Sequence, residues 1–334
     1  MPQNKSITDI ANALGISKTT VSRAISGNGR VNAATRARVL SYMQENDCAP
    51  AAPPRAAAGG KTNNIALVIS RQFSTLDLSF LRKSMSAIYE VASQNDYDVI
   101  LVMTGERETA PMRRLLEAHK IDGAILTRTL ENDPLIPLMK EYHLPFVAMG
   151  WQRDPEVPQV DNDQIGGFRE LTSLLLMKGM HNIALLGGSM LYTVNQSRLE
   201  GFRQAYENAR IPVNEGLVFL ELESEVQRVH ALETAVAARP DCILCMDEDV
   251  AALVMRTLKA KGIQVPGDVC VASLYDSAEL KNMAPTVTAV QFDAVELGYK
   301  ASRQLLDILS GNAVEHRVEL GFQVVMRDST KSSK

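Results

Sequence analysis

Cys242 and Cys245 form a CxxC, the spacing at which two thiols clamp a metal or exchange a disulfide. The 334 residues contain only four cysteines and five histidines, and the intervening Ile243-Leu244 makes the segment read as a buried strand. The pair is therefore expected in the core, with no metal bound. No GxGxxG, P-loop, HExxH or GxSxG occurs, and Gly187-Gly188 lacks the third glycine of a dinucleotide fingerprint. With no nucleophile to name and no cofactor expected, enzyme chemistry is the wrong class. Recognition chemistry is better supplied. Lys18, Thr19, Ser22 and Arg23 share one side of a short stretch whose other side is Val21, Ala24 and Ile25. Donors and acceptors crowded at the N-terminal end of a helix suit the reading of base edges in a DNA major groove.

The elements that must position these side chains are legible nearby. Ser6-Ile7-Thr8-Asp9 has capping-box form, and Ile10, Ala11 and Leu14 recur at helical spacing, which predicts a helix over about Ile7 to Leu14. Gly15 suits the left-handed stop of that helix, and Ser17 caps a second one after only Gly15-Ile16. A third helix is expected from near Asn32, burying Val39, Leu40 and Met43 and turning Arg36 and Arg38 toward phosphates. Charge agrees with this. The whole chain has 35 Lys and Arg against 39 Asp and Glu, a net −4, yet residues 1–60 alone carry seven basic and three acidic side chains. A basic head on an acidic body points to a polyanion partner for the head. From Ala49 to Gly60 the sequence APAAPPRAAAGG is a linker that builds no core.

Beyond the linker, short apolar runs begin near Ile65, Val99, Ala124 and Phe146, and again near Ile183, Leu217, Ile243 and Val269, with helical stretches such as Phe80 to Ala92 between them. Two similar βαβ series predict two parallel sheets covered by helices, with ligands at the strands' carboxyl ends. Apolar content of 46% provides a large core. The N-terminus MPQNKSITDI lacks the apolar core of a signal peptide, and no run approaches the roughly 18 residues of a membrane span. A cytoplasmic protein with no membrane partner is expected.

The stretch ITDIANALGISKTTVSRAISGNGRVNAATRARVL closely resembles the DNA-binding head of the lactose-repressor (LacI/GalR) family. Val160-Asp161-Asn162 with Gly166-Gly167, the run from Ile183 to Gly188, Arg198-Leu199-Glu200-Gly201-Phe202, Val265-Pro266-Gly267-Asp268-Val269, and Val290-Gln291 to Gly298 extend the resemblance through the family's effector domain. It implies a small all-α helix-turn-helix head (1–48), a linker or hinge (49–61), and an α/β periplasmic-binding-protein-like body (62–334) of two doubly wound parallel-sheet subdomains. Their expected extents are about 62–160 plus 292–320 and about 162–290 plus 322–330. The implied partners are double-stranded operator DNA, a small sugar or sugar derivative, and a second copy of the chain. The chain stops at STKSSK without the heptad helix of tetrameric members, so a homodimer is expected.

By the same resemblance Ser17, Lys18, Thr19, Thr20, Ser22, Arg23, Asn28, Thr35 and Arg55 are the expected DNA contacts. For the effector, Arg198 matches the arginine the family forks onto ligand hydroxyls or a carboxylate. Asp247 stands where the family has Asn, Tyr275 where it often has Asp, and Gln291 at a crossing segment. Trp151 follows a strand, where it either stacks on a sugar ring or is an ordinary rim or core aromatic. Thr127 and Arg128 follow another strand, and Arg71 and Phe73 are expected on the near wall. The linker departs from the family pattern: its Asn and Leu are Ala here, and Pro53 and Pro54 interrupt the would-be helix, so weaker operator kinking is expected. The function implied is a transcriptional regulator, a repressor of a carbohydrate-utilisation operon released by its effector. Two alternatives stay open: a corepressor-dependent regulator of the same family, and a solute-binding module that does not touch DNA.

Overall fold

Helices α1 (Ile7–Leu14), α2 (Lys18–Ser26) and α3 (Ala33–Glu45) close around Ile10, Ala11, Val21, Ala24, Val39 and Met43. They form the first of two units, Met1–Lys61, in a computed structural model that describes residues 7–26, 31–46, 61–71, 79–127 and 129–331. Gly15 adopts φ 65°, and the Ile16 N–H returns to the Ala11 carbonyl at 3.1 Å, so α1 ends in a left-handed turn. Ser17 Oγ accepts the Thr20 N–H at 3.1 Å to cap α2, and Asn32 Oδ1 accepts the Ala34 N–H at 3.0 Å to cap α3. Leu40 requires a correction. It is 48% exposed, because Val39 and Met43, four residues apart, take the buried stripe and Leu40 points about 100° away from Val39. The capping Ser6, the side chain of Ile25 and the linker Ala49–Gly60 lie outside the described residues.

The second unit, Thr62–Lys334, contains two six-stranded sheets. The chain first runs through β1 (Asn64–Ser70), α4 (Ser79–Ser93), β2 (Asp98–Thr104), α5 (Ala110–Glu117), β3 (Gly123–Leu126), α6 (Leu135–Glu141), β4 (Phe146–Met149) and β5 (Gln159–Asn162). It crosses to α7 (Gln164–Met177), β6 (Ile183–Leu186), α8 (Thr193–Ala209), β7 (Val218–Phe219), α9 (Glu225–Ala237), β8 (Cys242–Cys245), α10 (Glu248–Ala260), β9 (Cys270–Ser273), α11 (Ala278–Asn282) and β10 (Thr288–Phe292). It then returns for α12 (Ala294–Leu309) and β11 (Arg317–Leu320), and finishes with β12 (Phe322–Val325) in the second sheet. The orders are β11-β5-β4-β3-β1-β2 and β12-β10-β9-β8-β6-β7.

Strands β3, β4, β6, β8 and β9 are buried at every position, which is why they read as unbroken apolar runs: helices cover both faces. Cys242 and Cys245 lie in this interior as free thiols, and burial pushes both well above the usual thiol range. One strand departs from the parallel pattern. β12 pairs antiparallel with β10, Phe322 facing Phe292, because only Gly321 separates it from β11 and the chain enters the second sheet from the end where β10 leaves it.

Three crossings therefore join the two subdomains, and each is one residue long: Asp163, Asp293 and Gly321. Two of these residues are also helix caps. Asp163 Oδ1 accepts the Gly166 N–H at 2.6 Å, and Asp293 Oδ1 accepts those of Val295 and Glu296 at 3.0 and 2.9 Å.

Candidate functional site

The carboxyl ends of the strands of both sheets line one cleft of about 390 Å³, within the range of small-molecule sites. Thr127 and Thr129 follow β3, Gly150 follows β4, and Asp161 and Asn162 end β5; Gly188 and Ser189 follow β6, Asp247 follows β8 and Tyr275 follows β9. Arg198 projects from α8 and is only 5% exposed. Its Nη1 donates to Asn195 Oδ1 at 2.9 Å, its guanidinium lies 4.7 Å from the centre of the Tyr275 ring, and its buried Nε has no partner. The Tyr275 hydroxyl accepts from Gln164 Nε2 at 2.9 Å, and its ring meets Phe80 at 4.7 Å and Phe292 at 5.3 Å.

Two buried carboxyls share the field of Arg198. Asp161 accepts the N–H groups of Trp151 at 2.9 Å and Asn162 at 2.8 Å; burial nonetheless pushes it up to about 7, against the pull of those bonds and of Arg198. Glu248, the first residue of α10, is pushed up to about 7 by burial and by its neighbours Asp247 and Asp249. Its Oε1 accepts from Ser79 Oγ of the opposite subdomain at 3.4 Å. Further bonds close the cleft's back: Thr129 Oγ1 to Thr193 Oγ1 at 2.6 Å, Thr193 Oγ1 to the Trp151 carbonyl at 2.9 Å, and Ser70 Oγ to the Tyr192 hydroxyl at 3.2 Å. Asn162 has both amide atoms buried and unpartnered, and Gln164 Oε1 is in the same condition. The arrangement is a set of waiting donors and acceptors around the Arg198 guanidinium, which is binding chemistry. Among the described residues no group of three His, Cys, Asp or Glu is placed to hold a metal, and no helix is long and apolar enough to cross a membrane.

In the head, Lys18, Thr19 and Arg23 are exposed on α2 opposite the buried Val21 and Ala24. Ser17 is exposed, while Thr20 and Thr35 are half-buried. Ser17 and Thr20 also bond each other at 2.8 Å as part of the cap. Arg36 is exposed, and Arg38 Nη2 donates to the Leu14 carbonyl at 3.0 Å, a cation at the C-terminal end of α1.

Residues 6–50 match the family described as "Bacterial regulatory proteins, lacI family", and residues 172–330 match a "Periplasmic binding protein-like domain". The chain therefore carries a lacI-family DNA-binding domain followed by a periplasmic binding protein-like domain. The HTH-type transcriptional repressor PurR of Vibrio parahaemolyticus is 28% identical, covering 97% of this chain and 98% of its own. The HTH-type transcriptional regulator DegA of Bacillus subtilis is 29% identical, covering 97% of each. Among solved structures, the complex of the regulator CelR with cellobiose aligns with a TM-score of 0.73 at 27% identity, covering 97% of this chain and 99% of that one. The lac repressor dimer on its operator, at 22% identity, has the same fold with a TM-score of 0.71, covering 99% and 100%. These relatives are named transcriptional regulators, and this chain is a DNA-binding regulator.

Several expected site residues stand elsewhere than anticipated. Arg198, Asp247, Tyr275 and Thr127 line the cleft, but Asp247 spends Oδ1 on the Val250 N–H at 2.8 Å as the cap of α10. Gln291 is exposed and does not line the cleft: alternation along β10 turns Val290 and Phe292 inward and Gln291 outward. Trp151 lines a second cavity of about 270 Å³, which shares Asp161, Asn162 and Gln164 with the cleft; its backbone, held by Asp161 and Thr193, carries the ring past the strand end. Arg71 is exposed and paired with Glu108 at 2.9 Å, off the cleft wall. Asn28, Arg55, Phe73, Arg128 and the side chain of Ser22 lie outside the described residues. Asn162, Gln164, Asn195 and Glu248 escaped the sequence reading. Asn162 stood inside a quoted family marker, and Glu248 stands in the first turn of α10, where an acidic residue carries no functional signal of its own.

Proposed function

We propose that the protein is an effector-gated repressor that binds a near-palindromic operator as a cytoplasmic homodimer and leaves it when a small saccharide fills the cleft. In this reading residues 1–48 are the DNA-binding domain, 49–61 the linker, and 62–334 the effector and dimerisation domain. The supporting observation is Arg198, a buried guanidinium with Nε unpartnered, beside Asn162 with neither amide atom paired. Buried polar groups left unpaired are costly, and a polyhydroxyl ligand that pairs them removes that cost only while bound. The relative CelR, solved with cellobiose, supports a saccharide. On the head, Lys18, Thr19 and Arg23 read bases and Arg36 contacts phosphate. The homodimer is supported by edge strand β2, which exposes Leu101 and Met103 at 48% and 42%, and by Tyr89 on α4 at 63%. Apolar side chains on a strand with one open edge suit a second copy better than water.

Selection of bound duplexes from a random library, followed by fluorescence anisotropy of the recovered site against a saccharide panel, tests the reading. The expected result is a two-fold-symmetric site whose affinity drops with one saccharide. A site without symmetry overturns the homodimer. An affinity that rises with the saccharide reverses the gating to a corepressor, and indifference to every saccharide removes the effector role.

A further inference from the structure

We propose that the ligand of the cleft carries a basic nitrogen: a saccharide bearing an amine, held as a cation, in preference to a neutral or an anionic one. The inference rests on the cleft being the effector site. Its ground is an imbalance of buried charge. Among the described residues lining the cleft, Arg198 is the cation whose field reaches both Asp161 and Glu248, so one guanidinium faces two carboxyls. Arg198 has Nη1 committed to Asn195 and its face to Tyr275, and Asp161 already accepts two backbone N–H groups. Glu248, 4% exposed, has the Ser79 hydroxyl at 3.4 Å and acidic neighbours on both sides in the chain, Asp247 and Asp249.

Among the described residues, the other charged groups lining the cleft do not supply what is missing. Glu223 adds a further carboxylate, and the half-buried Arg228 donates its Nε to the Leu222 carbonyl. A buried carboxylate without a counter-cation takes up either a proton or a cation. Burial and the flanking acids Asp247 and Asp249 raise Glu248 and so favour its protonated form. An ammonium group replaces that proton and brings three donors; Glu248, Asp247 and Gln164, whose Oε1 is unpartnered, are acceptor-bearing residues lining the cleft. A phosphate or carboxylate on the ligand meets the same oxygens and is repelled, and a neutral sugar leaves Glu248 without its cation.

The full-length protein is titrated calorimetrically with matched sets: glucose, glucosamine, glucose 6-phosphate and glucuronate, and cellobiose with the β-1,4-linked glucosamine dimer. Each titration is run at pH 7 in two buffers of different ionisation heat. In at least one set the amine is expected to bind about tenfold tighter than its hydroxyl parent, as a charge-assisted bond implies. It is expected to release protons, seen as unequal heats in the two buffers, and to bind more weakly as pH falls from about 7 to about 5.5, where Glu248 is protonated. Glu248→Gln is expected to reduce the amine's preference to about twofold or less. If a neutral parent binds as tightly as its amine and no proton is released, this inference fails while the effector reading stands; a preference for phosphate or carboxylate has the same consequence. Binding of no saccharide in any form removes both. Should Glu248→Gln fail to fold, the wild-type heats alone decide.

Discussion

At the scale of single residues, one arginine organises the cleft. Arg198 is the cation that Asp161, Glu248 and Tyr275 all face, so its replacement acts on them as well as on the ligand. Arg198→Ala is expected to weaken effector binding by the roughly 1.5–3 kcal/mol of a charged hydrogen bond while leaving operator affinity near wild type. Arg23→Ala is expected to do the reverse, losing about 1–3 kcal/mol per half-site with effector affinity retained. Anisotropy with DNA and calorimetry with ligand on both variants check the separation, and loss of both activities in either variant rejects it. A second expectation concerns pH. Asp161 and Glu248 are raised to about 7 when folded, above the ordinary range near 4, so the folded chain binds the extra protons. Their stabilising contribution is complete below about pH 4 and is lost as pH rises through about 7. Melting of the unliganded protein from acid to pH 8 should therefore show Glu248→Gln gaining on the wild type as pH rises; equal slopes reject the burial of this charge.

At the scale of elements, much was legible because local rules and packing agreed. The left-handed Gly15, the Ser17 cap and the apolar runs of β1–β4 and β6–β9 were readable, since each depends on a few adjacent residues, whereas β5 and β10–β12 were not read as strands. The losses have physical causes too. Gln291 was placed by resemblance although the alternation Val290-Gln291-Phe292 already turned it outward, and Leu40 was placed by apolarity where the helical stripe favoured Val39 and Met43. Asn162 and Glu248 were missed because their significance lies in what they do not bond, a property of the assembled cleft and absent from any local pattern. The marker Arg198-Leu199-Glu200-Gly201-Phe202 gains a structural reason at its glycine. A Cβ on Gly201 would sit 2.4 Å from the Ile165 carbonyl oxygen, where α7 and α8 approach each other. Gly201→Ala should separate the two helices at an overpacking cost of about 1–3 kcal/mol, read as a lower urea midpoint with an unchanged slope. A midpoint at wild type would mean the helices yield without cost.

At the scale of the whole molecule, the proposed gating requires head and cleft to be coupled through differences in affinity. If saturating effector lowers operator affinity by a given factor, saturating operator must lower effector affinity by the same factor, for the two belong to one cycle. Measuring both factors on one preparation checks the closure; unequal values mean that a third species, such as a dissociated subunit, takes part. The basic head and acidic body make the operator side of this cycle steeply salt-dependent, so both measurements belong at one ionic strength. The three one-residue crossings bear on a different question. With Asp163 and Asp293 fixed as caps, the subdomains have little freedom beyond a single opening angle, whatever fills the space between them. Because every occupant is translated into that one angle, side chains of the cleft wall are free to be exchanged for others that welcome a new metabolite while the signalling machinery is inherited intact. The hinge thus makes the lineage easy to retarget, a property of its evolutionary history more than of any single ligand.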